Sequence, residues 1–261
     1  MNGSVGLEQY VTMEEYLKGR RCIITGSSGT IGKLFATFIA SRGGIPILVD
    51  VVPQDETEEA VASYGGEYSV HRVDLSDVAQ IKSFYAGIAE RYDGLDLLIN
   101  NAGLLSEVKL LDMTEDNWDR VLNVNAKGAA FMSQGAVGLM QHGSGDRQII
   151  NIVSLAALVG GLYVGAPYVC SKAALLGLSR NYTVQAGKEF GIRVNSISPV
   201  IVSGQMISNT PREAIDGVKN LMKVWNQEVP PMHLLYVFEM LCRTPSMTGK
   251  NIVLDGGILL E

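Results

Sequence analysis

Short apolar runs alternate with helical patterns along most of the chain. The runs RCIIT, IPILV, LDLLI, IINIV and NIVLD are almost continuously apolar, which is typical of strands buried on both faces. Strands are predicted at 21–25, 45–50, 68–73, 95–100, 148–154, 193–197 and 251–255. Helices are predicted at 31–42, 56–64, 78–92, 115–141 and 168–190. This alternation predicts an α/β fold with a doubly wound, mostly parallel seven-stranded sheet and helices on both faces.

The 261 residues contain no internal repeat and no linker, so one main domain is predicted over residues 20–261. Residues 1–19 are interpreted as an N-terminal extension, and they contain no long apolar run that would predict a signal peptide. Residues 199–232 interrupt the alternation and carry four prolines. An insertion of this kind often covers a site, so we interpret 199–232 as a substrate loop region.

Charge and cysteine content exclude several function classes. The net charge of −6 argues against a nucleic-acid or anionic-membrane partner, since either requires a basic face. The three cysteines form no Cys-x-x-Cys motif and the three histidines form no His-Glu-x-x-His motif, so neither disulfides nor a metal site are predicted. Unpaired cysteines favour a reducing compartment, and a cytoplasmic location is expected.

A glycine-rich loop joins the first predicted strand to the first helix. The segment TGSSGTIG at 25–32 places three glycines at this junction. Glycines let backbone amides approach a pyrophosphate, and the N-terminus of the following helix offers free N–H groups and a positive dipole end. The loop therefore predicts a Rossmann-type dinucleotide site with cofactor contacts from Gly26, Ser28, Thr30 and Ile31.

The second predicted strand, the next one after the glycine loop, ends at Asp50. A carboxylate at this point accepts hydrogen bonds from the adenosine ribose and repels a 2′-phosphate. The next residues are Val51 and Val52, and the sequence places no Arg or Lys beside Asp50 to bind a 2′-phosphate. NAD is therefore predicted as the cofactor in preference to NADP.

Further motifs follow the later strands. They are Asn100-Asn101-Ala102-Gly103, Asn123-Val124-Asn125, Ser154, Tyr168-Val169-Cys170-Ser171-Lys172 and Asp255-Gly256-Gly257. This set resembles the short-chain dehydrogenase/reductase family, in its single-domain Rossmann-fold branch, over residues 20–258. The resemblance implies an NAD-dependent oxidoreductase that transfers hydride between nicotinamide and a small-molecule secondary alcohol or ketone. It also implies a homotetramer or dimer in which the helices at 115–141 and 168–190 pair between subunits.

The spacing of Tyr168 and Lys172 supports proton transfer. Because they are separated by one turn of a helix, the two side chains lie on one face. A free tyrosine has a pKa of about 10, and a neighbouring ammonium is expected to lower it. Tyr168 then acts as the acid/base, while Ser154 holds the substrate oxygen.

The resemblance implies roles for the remaining site residues. Lys172 also holds the nicotinamide ribose, and Asn125 holds a water molecule in a proton relay. The implied cofactor contacts include Asp74 and Leu75 beside adenine, Asn101, Ala102 and Gly103 on the ribose side, and Tyr168, Pro199 and Val202 around nicotinamide.

Four features depart from the family's pattern. Thr30 replaces a glycine that is usual at its position, and the spacing from Ser154 to Tyr168 is longer than usual by a single position. Val200 stands where a second glycine is usual, and Gly204 stands where a threonine is expected. The resulting glycine spacing is closer to that of the extended, sugar-nucleotide branch.

Two alternative functions follow from these observations. A sugar-nucleotide-modifying enzyme fits the glycine spacing, although the segment after Pro199 is short for the substrate domain of such relatives. A non-catalytic NAD-sensing scaffold fits the fold, although it would not need the Asn–Ser–Tyr–Lys set.

The substrate itself stays open between a sugar or polyol, a hydroxy acid and a steroid-like ketone. An acyl-carrier-protein thioester is less favoured, because an acidic carrier prefers a basic docking surface. Apolar residues that could face the substrate are more often core, so none is assigned as a contact; they are Leu104, Leu105, Leu155, Ala156, Val159, Leu162, Met206, Met222 and Trp225.

Overall fold

In the computed structural model, which describes residues 11–161 and 163–260, the strands form one parallel seven-stranded sheet. The strands are β1 Arg21–Thr25, β2 Ile45–Asp50, β3 Ser69–Arg72, β4 Leu97–Asn100, β5 Arg147–Ile152, β6 Ile192–Pro199 and β7 Asn251–Leu254. Their order is β3-β2-β1-β4-β5-β6-β7, which reverses direction between β1 and β4. The predicted doubly wound α/β fold is confirmed, and every described strand pair is parallel.

Ten α-helices are present in the described ranges. They are α1 Met13–Leu17, α2 Thr30–Ser41, α3 Asp55–Ala62, α4 Val78–Arg91, α5 Glu115–Leu122, α6 Ala129–Met140, α7 Ala156–Val159, α8 Ala166–Phe190, α9 Arg212–Lys219 and α10 Pro231–Arg243. None of these helices is both long and apolar enough to cross a membrane.

The single helix predicted at 115–141 is wrong in one respect. A π-helical turn at Asn123–Gly128 separates α5 from α6. Gly128 packs so closely on the loop after β3 that an added Cβ would lie 2.7 Å from the Leu75 oxygen. The turn lets the helix follow this loop, and it places Asn125 inside the protein.

Two apolar layers cover the two faces of the sheet. On one face, α1, α2 and α10 pack together, with the Phe35 and Phe238 rings 5.3 Å apart. On the other face, α4, α6 and α8 pack through residues such as Ile88 and Met132. The helices therefore fix the central strands from both sides and leave the ends of the strands free to carry a site.

The described part of the predicted extension packs onto the domain. Thr12 and Glu15 form a reciprocal capping box at the start of α1. Tyr16 is buried and donates a 2.8 Å hydrogen bond to the Asp146 carboxylate, which also pairs with Arg193 at 2.7 Å. Met13, Tyr16 and Leu17 are thus buried in the core, and residues 1–10 of the predicted extension lie outside the described residues.

Candidate active site

A cavity of about 920 Å³ lies at the carboxyl ends of the central strands, where the strand order reverses. The structure brings almost all predicted site residues to its wall. Those lining it are Gly26, Ser28, Thr30, Ile31, Asp50, Asp74, Leu75, Asn101, Ala102, Gly103, Ser154, Tyr168, Lys172, Pro199 and Val202. Asn125 lies behind this wall, where it is 1% exposed.

The glycine loop holds α2 close to the ends of β1 and β4. Gly26 has φ +66°, and a Cβ added there would lie 2.8 Å from the Ala102 Cα. A Cβ at Gly32 would overlap the Gly26 carbonyl oxygen. No side chain caps α2 at Gly29, so the first N–H groups of this helix are left for an anion. The loop therefore fits a pyrophosphate.

Asp50 ends β2 at the cavity wall. Its carboxylate accepts hydrogen bonds from the Ser28 backbone at 3.0 Å, the Ser28 hydroxyl at 2.6 Å and the Val51 backbone at 2.7 Å. The strand pairing also brings a cation near Asp50 that the sequence pattern did not indicate, although this residue, Arg72, does not line the cavity. Arg72 pairs in register with Asp50 on the neighbouring strand, and its Nε donates to the Val51 carbonyl at 2.9 Å.

The loops after β3 and β4 are fixed by their own polar side chains. The Asp74 carboxylate accepts a 2.8 Å hydrogen bond from the Ser76 backbone. The Asn101 amide donates to the carbonyls of Thr25 at 3.0 Å and Gly26 at 3.1 Å. Asn101 thus ties the end of β4 to the glycine loop, which explains an asparagine at this position without a direct cofactor contact.

Lys172 and Tyr168 lie side by side within the wall, as their spacing predicts. Lys172 Nζ donates to the Ile152 carbonyl at 2.9 Å and lies 5.8 Å from the Tyr168 ring centroid. Burial lowers the pKa of Lys172 to about 8. Burial raises the pKa of Tyr168, and the neighbouring Ser154 hydroxyl opposes this only in part. The expected lowering of the Tyr168 pKa is therefore not found, because desolvation dominates.

Asn125 fixes the loop after β4. Its side-chain oxygen accepts from the Leu104 N–H at 2.7 Å, and its amide donates to the Leu104 carbonyl at 2.9 Å and the Ser171 hydroxyl at 3.0 Å. Both amide hydrogens are thus committed to the protein. A Cβ added at Gly103 would lie 3.4 Å from Lys172 Nζ and 3.5 Å from the Asn125 oxygen. Gly103 therefore lies next to both groups at the cavity wall.

Residues 203–225, which we call the roof segment, cover the cavity. The Thr30 hydroxyl accepts from the Gln205 N–H at 3.1 Å, and the Thr210 hydroxyl donates to Glu107 at 2.6 Å. Gly204 has φ +152°, and a Cβ there would lie 2.7 Å from the Thr30 hydroxyl oxygen. Two of the departures from the family pattern are therefore in direct contact.

The sequence did not predict α9, which lies inside the roof segment. Ile215 is buried against Ile201 and Met222, while Ala214 and Val218 line the cavity. Apolar residues three apart between charged ones are the signal that could have identified this helix.

The apolar candidates divide into two groups. Leu104, Leu105, Leu155, Ala156, Val159 and Met206 line the cavity. Met222 packs beneath α9, and the Trp225 ring lies 5.6 Å from that of His233. Leu162 lies outside the described residues.

Comparison with known proteins agrees with this architecture. A family model described as short chain dehydrogenase matches residues 20–214. A 3-oxoacyl-acyl-carrier-protein reductase of Thermotoga maritima is 28% identical over 94% of this chain and 99% of its own. A (+)-cis,cis-nepetalactol synthase of Nepeta racemosa is 32% identical over 95% of each chain.

A solved structure is similar over nearly the whole fold. A short chain dehydrogenase from Burkholderia cenocepacia, in complex with NADP, superposes with a TM-score of 0.85 at 25% identity. The similarity covers 93% of this chain and 99% of that chain. Together with the family match over residues 20–214, these findings show that the chain belongs to the short-chain dehydrogenase/reductase family of oxidoreductases.

Proposed function

We propose that the protein is an NAD(H)-dependent oxidoreductase that interconverts a secondary alcohol and its ketone. One observation carries this proposal: an anion-binding glycine loop and an acid/base set of Ser154, Tyr168 and Lys172 line the same cavity. The sugar-nucleotide alternative is not favoured, since the described residues after β6 form the roof segment, α10 and a strand of the same sheet. The sensor alternative is not favoured either, because a non-catalytic protein would not need the acid/base set.

The residues of the wall divide the chemistry between them. When bound, nicotinamide would supply the hydride-transfer chemistry. Tyr168 would take the proton of the alcohol as its phenolate, or give a proton to the carbonyl oxygen as its phenol, while Ser154 orients that oxygen. Lys172 is protonated below a pKa of about 8 and then stabilises the tyrosinate. The roof segment excludes water from the reacting atoms.

Asp50 supports NAD over NADP. Its carboxylate lines the cavity, so a 2′-phosphate would meet a negative charge there. Arg72 is exposed, and its Nε already donates to the Val51 carbonyl. The glycine loop and α2 would hold the phosphates, and Asp74 and Leu75 would lie beside adenine. The ribose and nicotinamide parts of the cofactor would be lined by Asn101, Ala102, Gly103, Lys172, Pro199 and Val202.

Turnover by a Tyr168→Phe variant tests the proposal. NADH absorbance is followed with a panel of alcohols and ketones, and cofactor binding is measured separately. Loss of the hydroxyl should lower kcat by about 10²–10⁴-fold with little change in cofactor Kd. Tyr85→Phe is the matched control, because the buried Tyr85 hydroxyl donates to the Met132 carbonyl at 2.6 Å, outside the cavity. A Tyr168→Phe enzyme with more than about a tenth of wild-type kcat would refute the assignment.

Assembly and location complete the proposal. Some apolar residues of the helices expected to pair between subunits are buried within the subunit itself, namely Ala129, Ala136, Leu175 and Leu176. The outer face of α8 exposes the small residues Ala173, Ala174 and Gly177, followed by Arg180, Asn181 and Val184. The small residues in the first half of this face would allow close approach of a second subunit, which supports the proposed homotetramer. The cysteines are free, which supports a reducing cytoplasmic location.

A further inference from the structure

The part of the cavity beneath the roof segment is lined by aliphatic side chains. Representatives come from four separate segments: Leu105 after β4, Ala156 and Val164 after β5, Ala214 and Val218 on α9, and Ile258 after β7. Because all four segments contribute apolar groups, this surface is a property of the whole compartment and not of one loop.

Some of the polar groups near this compartment are engaged within the protein. Glu107 accepts the hydroxyl hydrogen of Thr210, and the backbone N–H of Gln205 donates to Thr30. Glu107 and Arg120, two charged residues of the cavity lining, are at exposed positions. The hydroxyls of Ser154 and Tyr168 face the cavity, where they can receive one reacting oxygen. Against the aliphatic side chains, a molecule with several further hydroxyls would lose hydrogen bonds to water without replacement.

We propose that the substrate is a ketone or secondary alcohol whose carbon body is apolar, and not a polyol. This inference rests on the proposed function, because it assigns the substrate class of the same site. The Ser154 and Tyr168 hydroxyls receive the oxygen, and the aliphatic compartment receives the hydrocarbon. Burial of each further methylene should raise kcat/KM by about fourfold until the compartment is full.

A homologous series tests the inference. We would measure kcat/KM with NADH for the 2-alkanones from 2-butanone to 2-decanone, and with NAD for sorbitol, galactitol and lactate. The value of kcat/KM should rise with the chain length of the ketone. For the polyols and lactate it should be at least about 100-fold lower than for the best ketone. A flat ketone series, or a polyol or lactate equal to the best ketone, would overturn the inference.

A cavity-filling variant locates the effect. Ala214→Leu should shift the chain length at which kcat/KM is highest to shorter ketones. Ala62→Leu makes the same change at the exposed end of α3 and should leave the series unaltered. An unchanged optimum in Ala214→Leu would place the substrate elsewhere and overturn the assignment.

A measurement of ligand binding distinguishes failure of this inference from failure of the proposed function. If no compound is turned over, the proposed function fails, and the melting temperature of the cofactor-free protein decides the inference. 2-Decanone should then raise the melting temperature of wild type more than that of Ala214→Leu, and sorbitol should give no such difference. An equal response of the two proteins to 2-decanone would refute the apolar site.

Discussion

The buried charge of Lys172 should lower the free energy of unfolding, although the proposed reaction needs this residue. Lys172 is 3% exposed, and burial lowers its pKa from 10.5 to about 8. That shift corresponds to about 3 kcal/mol against the charged form at pH 7. Lys172→Met keeps most of the side-chain volume and removes the charge. The variant loses the hydrogen bond to the Ile152 carbonyl, at a cost of about 1–2 kcal/mol.

The sign of the pH dependence follows from the direction of the shift. The folded-state pKa lies below the unfolded value, so between pH 8 and 10.5 the unfolded chain binds more protons and wild-type stability rises with pH. At pH 7 the variant should be more stable than wild type by about 1–2 kcal/mol. At pH 10 about 1 kcal/mol of the charge penalty remains, so the advantage should vanish or reverse slightly.

Urea denaturation at pH 7 and pH 10, at one fixed protein concentration, measures the difference. The change in relative stability between the two pH values, about 2.5 kcal/mol, is the diagnostic quantity, because packing effects of methionine do not titrate. Lys82→Met on the exposed side of α4 is the control and should show no such change. If the stability difference between Lys172→Met and wild type were equal at both pH values, the burial argument would be wrong.

Three further predictions concern the cofactor, the roof segment and the assembly. Asp50→Ala should reduce the preference for NAD over NADP by about tenfold or more in measured Kd, and an unchanged ratio would contradict the ribose assignment. Gly217→Ala should displace α9 from Tyr163 and speed limited proteolysis of the roof segment, whereas Gly87→Ala, which meets nothing within 4 Å, should not. Light scattering should give about four times 28.1 kDa for wild type and a smaller species for Val184→Glu; a wild-type monomer would refute the tetramer.

The central strands were predictable because their signal is local. The bounds of β1 and β2 agree with the prediction to the residue, since both are apolar runs flanked by residues that end a strand. The positions of the Tyr168–Lys172 pair and the glycine loop were predictable for a related reason. Helix spacing and strand–helix junctions place these groups from sequence alone.

The remaining features depend on contacts between distant segments. Arg72 is separated from Asp50 by the whole of α3, and only the strand pairing brings them together. The raised pKa of Tyr168 depends on burial that the motif does not encode. The π-helical turn likewise arises where Gly128 meets the loop after β3.

The contact between Thr30 and Gly204 makes the two positions interdependent in evolution and in engineering. A threonine at 204, as the family pattern expects, would place its Cβ 2.7 Å from the Thr30 hydroxyl oxygen and 2.9 Å from the Thr30 Cβ. Restoring that threonine alone is therefore sterically blocked. A glycine at 30 would remove this steric contact, but the φ of +152° at 204 would still strain a threonine there. A lineage or a library that restores the threonine therefore has to change position 30 and also the backbone around 204.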